Sequence, residues 1–164
     1  MSLRIGQGFD AHKFIKNRPL ILGGIHIPFE YGLAGHSDAD VLIHAIIDSI
    51  LGALSLGDIG KWFPDNDSSY KNIDSMILLK KVLSSEKLMS WKLVNLDATI
   101  ITEKPKLSKF TELIQQNIAE VFKCSTNQIS IKAKTTEGMG FCGRSEGIAV
   151  IVNSLLTLLS TTKL

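Results

Sequence analysis

The stretch from Val41 to Leu54 is the tightest constraint on what this chain can fold into. Val41, Leu42, Ile43, Ala45, Ile46, Ile47, Ile50, Leu51 and Leu54 leave a helix drawn through them almost no polar side, so other elements must cover it nearly all round. One stripe interrupts it: Asp40, His44 and Asp48 are spaced i, i+4, i+8 and share a face. Ahead of it, Ser37 and Asp40 have the spacing of an S-x-x-D capping box, which places the helix over Asp38 to Leu54.

The remaining segments supply the cover. Leu3 to Gly8 carries Ile5 between polar neighbours and ends in glycine, and it reads as a strand feeding a tight turn that presents Asp10 and His12. Gly6-Gln7-Gly8-Phe9-Asp10-Ala11 also matches the dinucleotide fingerprint G-x-G-x-x-A, but no helix follows to offer its N-terminus to a pyrophosphate. Gly23-Gly24 between apolar runs is a two-residue hairpin turn. Leu56 to Asp67 has loop chemistry and more side-chain function than a connector needs.

A second helix is expected from Asp74 to about Leu88, with Ile77, Leu78 and Val82 inward. Leu93 to Thr102 reads as a long strand, and a third helix carries Phe110, Leu113, Ile114, Ile118, Val121 and Phe122 at helical spacing. In Gln128 to Lys134, Ile129, Ile131 and Ala133 alternate with Ser130, Lys132 and Lys134, a strand that ends in the glycine-punctuated loop Thr135 to Gly140. Gly147 to Val152 is a last buried strand. Interleaved strands and helices, with no repeat or linker, make one α/β domain over 1–164, a mixed sheet packed against about three helices.

Composition narrows the function. A chain of 164 residues buries one sizeable core, and 45% hydrophobic with 21% charged residues is the balance of a globular protein. The net charge of +2 is dispersed, without the basic run a nucleic-acid partner requires. The longest apolar run is broken by His44 and Asp48, short of the ~20 residues of a membrane span. Cys124 and Cys142 lack C-x-x-C spacing and read as free thiols in a reduced interior. A strand pattern begins within a few residues of the start, with no room for a signal segment, so the expected compartment is the cytoplasm.

Chemistry concentrates between Asp10 and His44. Zinc takes carboxylate oxygen and imidazole nitrogen at about 2.0 to 2.2 Å, and a catalytic site supplies three protein ligands and keeps one position open. Asp10, His12 and His44 fit that count: Asp10 and His12, two apart on an extended segment, point to one side, and the buried helix holds His44. The rival reading makes His44 a hydrogen-bonded core histidine. His36 reads equally as a loop histidine bonded to the capping box. Asp38, Asp40, Asp48, Asp58, Asp65 and Asp67 stand against the single Lys61 between 36 and 67; such a cleft repels an anion unless cations offset it, which points to metal ions or to sugar hydroxyls. Thr135, Thr136 and Glu137 offer hydroxyls for phosphate oxygens and one hard oxygen ligand for Mg²⁺. Asp40 or Asp48 is expected to accept the second ring N–H of His44 or of another ligand and fix its tautomer, Asp40 being favoured because it lies nearer the loop end.

Seven short motifs then occur in order: Arg4-x-Gly6-x-Gly8-x-Asp10-x-His12, His36-Ser37-Asp38-x-Asp40-x-x-x-His44, Gly57-Asp58-Ile59-Gly60, Phe63-Pro64-Asp65, Pro105-Lys106, Thr135-Thr136-Glu137 and Gly143-Arg144-x-Glu146-Gly147. Jointly they resemble the 2-C-methyl-D-erythritol 2,4-cyclodiphosphate synthase family, from Arg4 to about Val152. The resemblance implies a homotrimer of α/β subunits whose sheets line a central cavity, with an active site at each subunit interface. It implies cyclisation of 4-diphosphocytidyl-2-C-methyl-D-erythritol 2-phosphate with loss of CMP. Zn²⁺ would fall on Asp10, His12 and His44, and Mg²⁺ or Mn²⁺ on Glu137.

By the same resemblance, His36 and Thr135 stabilise the transition state. Asp10, His12, His36 and Ser37 also meet the substrate. Asp58, Ile59 and Gly60, with Phe63, Pro64, Asp65, Asn66 and Asp67, hold the erythritol. Thr102, Glu103, Lys104, Pro105, Lys106, Leu107 and Ser108 hold the cytidine. Lys134, Thr135, Thr136, Glu137, Phe141 and Arg144 hold the phosphates. Gln7, Lys134 and Ser68 stand where relatives often carry His, Thr and Pro. Two rivals remain: a structural metal trimer, against which the absence of a fourth ligand and of suitable cysteine spacing weighs, and a phosphoester hydrolase, in which water rather than the substrate phosphate attacks. Arg144 either pairs with Glu146 or, with Phe9, offers the central cavity to an isoprenoid diphosphate.

Overall fold

The computed structural model describes residues 2–159; the first residue and residues 160–164 of the expected domain lie outside the described residues. Its elements, in chain order, are β1 (Leu3–Lys16), β2 (Leu20–Leu22), β3 (Ile25–Ile27), β4 (Tyr31–Leu33), α1 (Val41–Ala53), α2 (Ile59–Trp62), α3 (Ser75–Leu83), β5 (Trp91–Ile101), α4 (Thr111–Phe122), β6 (Ile129–Lys134), α5 (Gly140–Gly143) and β7 (Gly147–Leu158). Five strands form one sheet in the order β4-β1-β7-β5-β6, and β2 and β3 pair separately. Only β5 and β6 run parallel within the larger sheet, so it is mixed, as expected. Three helices of 13, 9 and 12 residues cover it, joined by the single turns α2 and α5.

The apolar helix is the centre of the core. Val41, Leu42, Ile43, Ile46, Ile47, Ile50 and Leu51 are all fully buried, with β1 and β7 on one side and α3 on another. The hairpin is as read, with Gly23 and Gly24 at φ of 61° and 73°, the left-handed pair that a tight two-residue turn demands.

Three local readings change. Leu3–Gly8 does not end in a turn: β1 runs unbroken for 14 residues, with Asp10 and His12 inside it. Its glycines serve packing instead. A Cβ on Gly6 would lie 1.8 Å from the Ser49 carbonyl oxygen, and one on Gly8 1.9 Å from that of Ala45, so α1 and β1 touch backbone to backbone. In the second helix Ile77 is 44% exposed, and the inward face is Met76, Leu78, Leu79 and Val82.

The third change is the helix start. Ser37 does not cap α1; its hydroxyl accepts from Ala39 N, and Asp40 is the cap. The Asp40 carboxylate accepts four backbone N–H groups: Leu42 and Ile43 of the first turn at 3.2 and 3.1 Å, and Gly23 and Gly24 of the hairpin at 3.0 and 2.7 Å. Burial pushes this carboxyl up to about 6, against the pull of those donors. Asp40→Ala removes a cap and leaves two hairpin amides without their acceptor, that of Gly23 buried, which should cost about 3 kcal/mol. Urea unfolding at constant m-value reads this as a lowered midpoint, and a loss under about 1 kcal/mol would contradict it.

Candidate metal-binding cleft

Alternation along β1 points Gly6, Gly8, Asp10 and His12 at α1. Because the glycines let the helix come so close, His44 reaches down onto the two side chains that follow them. His12 Nε2 lies 3.0 Å from Asp10 Oδ2, His44 Nδ1 lies 3.1 Å from the same oxygen, and the two ring nitrogens are 3.2 Å apart. Ligands at about 2.0 to 2.2 Å from a tetrahedral ion lie roughly 3.3 to 3.6 Å from one another. The triangle is slightly tighter than that, so a bound cation would spread it by tenths of an ångström.

The far ring atoms fit the same reading. His12 Nδ1–H donates to the Ala34 carbonyl, which leaves Nε2 as a lone pair facing Asp10. His44 Nε2 faces the hydroxyls of Ser37 and Ser75, both at 3.0 Å. The expectation that Asp40 fixes the His44 tautomer is therefore wrong: all the partners of Asp40 are backbone amides. Asp48 is no substitute, since it accepts from Ile59 N at 2.7 Å and ties α2 to α1. One turn of separation along the helix carries both carboxylates past the ring.

Burial pushes Asp10 up, but hydrogen bonds and charge from His12 and His44 outweigh it and hold the carboxyl well below its usual range. His12 moves the other way, raised above 6.5 because Asp10 outweighs the burial of the ring. Without a cation, His12 therefore takes up a proton more readily than a free imidazole, and a cation must displace it. Zinc uptake should release protons near neutrality, and affinity should decline as pH falls through the raised His12 value. Calorimetry in buffers of different ionisation enthalpy tests this, and affinity that does not change with pH would contradict it.

The three ligands open into a cleft of about 260 Å³, also lined by His36, Ser37, Ile59, Gly60, Phe63 and Asp65. Asp58 lies beside it as the cap of α2, accepting from Lys61 N; Pro64, Asn66 and Asp67 are exposed on the same loop. Arg18 donates to the carbonyls of Gly35 and Ser37 and clamps the loop that carries His36, whose Nε2 is buried without a partner. A larger hollow of about 520 Å³ between α3, α4 and the far end of the sheet is lined by apolar groups and lysines. Among the described residues that line it there is no carboxylate or imidazole, so it offers no metal ligands of that kind.

The second half of the expected site lies elsewhere in the chain. Asp10 pairs with Val150, Val150 with Ile100 and Ile100 with Ala133, so the loop after Lys134 is level with the metal ligands but three strands away, roughly 14 Å. There Glu103 accepts from the amides of Thr136 and Gly138, and the Thr135 hydroxyl donates to Glu137 at 2.5 Å. Lys104, Lys106 and Ser108 are exposed and Pro105 half-buried, whereas the side chains of Thr102 and Leu107 are buried, leaving mainly their backbone to a ligand. Phe141 and Arg144 are exposed, and Arg144 is bonded through Nε and a terminal nitrogen to Glu146 at 2.7 and 3.3 Å, the pairing reading of that arginine. Both cysteines are free thiols, and among the described residues no helix is long and apolar enough to cross a membrane.

Fold and cleft together define an α/β protein with a three-ligand candidate metal site open to solvent on one side. Residues 3–157 match the YgbB family model. The 2-C-methyl-D-erythritol 2,4-cyclodiphosphate synthase of Brachyspira hyodysenteriae is 55% identical over 154 residues, covering 94% of this chain and 98% of that one. The enzyme of the same name from Geobacillus is 54% identical over 146 residues, 89% and 92%. Among solved structures, the bifunctional IspDF of Campylobacter jejuni superposes with a TM-score of 0.93 at 42% identity, over 99% of this chain and 44% of that longer one. A CDP complex of Plasmodium falciparum IspF gives 0.82 at 36%, over 97% and 98%. The chain belongs to the YgbB family, whose curated members named here are 2-C-methyl-D-erythritol 2,4-cyclodiphosphate synthases.

Proposed function

We propose that this protein cyclises 4-diphosphocytidyl-2-C-methyl-D-erythritol 2-phosphate to 2-C-methyl-D-erythritol 2,4-cyclodiphosphate with release of CMP, in the cytoplasm. The observation that carries the reading is the convergence of Asp10 Oδ2, His12 Nε2 and His44 Nδ1, whose other ring nitrogens are already committed. The nucleophile is the substrate's own 2-phosphate, anionic at neutral pH, so the protein need supply no strong base. It attacks the outer diphosphate phosphorus as the P–O bond to CMP breaks, and the obstacle is repulsion between two anionic groups. Zn²⁺ on Asp10, His12 and His44, with Mg²⁺ or Mn²⁺ on Glu137, supplies charge neutralisation and in-line polarisation.

This chain's residues do the rest. His36 offers a free ring nitrogen at the cleft, Asp58 to Gly60 and Phe63 to Asp67 hold the erythritol, Thr102 to Ser108 the cytidine, and Lys134 to Glu137, Phe141 and Arg144 the phosphates, with Thr135 at the transferred group. Separation of these two halves within one chain supports a homotrimer whose sites form between neighbours. So does the outer face of β1 and β7, where Ile5 is 75% and Phe9 59% exposed beside Leu155 and Ile151, on either side of the polar Gln7–Asn153 pair. A central cavity lined by that face would offer an isoprenoid diphosphate an Arg144 already engaged by Glu146. Incubation with the cytidyl substrate and phosphorus NMR of the products tests the main reading. A cyclic diphosphate plus CMP is expected; an uncyclised phosphate product would make the protein a hydrolase.

A further inference from the structure

Ser75, the first residue of α3, is fully buried and lies at the back of His44. Its hydroxyl donates to Asp38 Oδ1 at 2.5 Å, and its backbone N–H donates to Asp38 Oδ2 at 3.1 Å. Asp38 therefore grips Ser75 at two points and takes its only side-chain proton. The oxygen left over can only accept, and it lies 3.0 Å from His44 Nε2. Ser37, the other hydroxyl at that nitrogen, is under no such compulsion: its oxygen accepts from Ala39 N, and its proton is free to turn to Ser75 Oγ at 3.2 Å.

We infer that Ser75, oriented by Asp38, is the positioning residue that holds His44 in its Nε2–H tautomer and so turns the Nδ1 lone pair onto the cleft. The chain runs from carboxylate to hydroxyl to imidazole, and thus reaches a metal ligand with a serine interposed where a carboxylate commonly contacts the ring directly. It also explains why α3 begins here. Asp74 caps the helix through Met76 N, leaving the next residue's amide and hydroxyl both for Asp38. The inference rests on the metal reading of Asp10, His12 and His44.

Zinc affinity by chelator competition tests it, alongside the visible spectrum of the Co²⁺-loaded protein. Ser75→Ala should weaken zinc by roughly 10- to 100-fold and change the Co²⁺ spectrum, whereas Ser37→Ala should weaken it less. Wild-type affinity in folded Ser75→Ala overturns the proposal. Should that variant not fold, ¹⁵N-histidine NMR of the zinc-loaded wild type still decides: a His44 ring bound through Nε2 overturns it, and one bound through Nδ1 with Nε2–H protected supports it. Failure of the wild type to bind zinc at all would instead defeat the metal reading itself.

Discussion

His44→Ala is expected to abolish metal binding and to lower turnover by roughly a thousandfold or more, with the fold intact. Metal assistance is worth several kcal/mol to phosphoryl chemistry, and each 1.36 kcal/mol is about tenfold in rate. The substitution takes one vertex from the Asp10, His12 and His44 triangle and leaves two ligands, too few to hold zinc against water. Stability should change far less, because the ring contacts polar groups at the cleft while the neighbours Ile43 and Ala45 keep the core closed. Metal analysis of the purified variant, beside its circular dichroism, is the check. Full zinc content in that variant would remove His44 from the ligand set.

Gly8→Ala, like Gly6→Ala, should rank with the most disruptive single methyls among the described residues. Its Cβ would fall 1.9 Å from the Ala45 carbonyl oxygen and 2.8 Å from Ser49 N, atoms of a helical backbone that cannot swing aside as a side-chain tip would. Either α1 lifts from β1 or the strand buckles, at about 3 kcal/mol or more. Lifting α1 also withdraws His44 from Asp10 and His12, so whatever folds should bind zinc poorly. The contrast is Gly52→Ala, on the same helix. There the new Cβ meets nothing nearer than Gln7 O at 3.7 Å, and the gain in helix propensity, up to about 1 kcal/mol, should make it neutral or stabilising. Thermal melts of the pair measure this, and equal effects would refute the close-contact account of β1.

That pair also marks where the sequence could and could not be read. The apolar helix, the Gly23-Gly24 hairpin and the Ile129-Ile131-Ala133 alternation announce themselves because their signals are local and periodic. Asp10, His12 and His44 were legible because an i, i+2 pair on a strand and a lone imidazole on an apolar helix are each unusual. Gly6 and Gly8 misled, since a glycine that opens a turn and one that admits a helix are written identically; only the partner backbone distinguishes them. Asp40 was assigned to the nearest imidazole by helical spacing, whereas its amides come from a hairpin distant in sequence. Ser75 gave no warning at all, being one serine after a helix cap whose partner Asp38 is 37 positions away.

The backbone contact between α1 and β1 bears on how the candidate site would take up a metal. Asp10 and His12 ride on a strand tied into the sheet on both sides, and His44 rides on a helix that cannot come nearer or move away without breaking the core. That packing holds the ligand atoms together independently of any ion, so loading should need only small side-chain adjustments. In a zinc finger, by contrast, the ion and the fold appear together. Here an ion should contribute mass action, RT ln(1 + [L]/Kd), to a fold whose core is apolar packing that does not include the ligands. The protein should therefore lose and regain an ion without unfolding, so which metal fills the site would be decided after the chain has folded, by its ligand set and by what its surroundings offer.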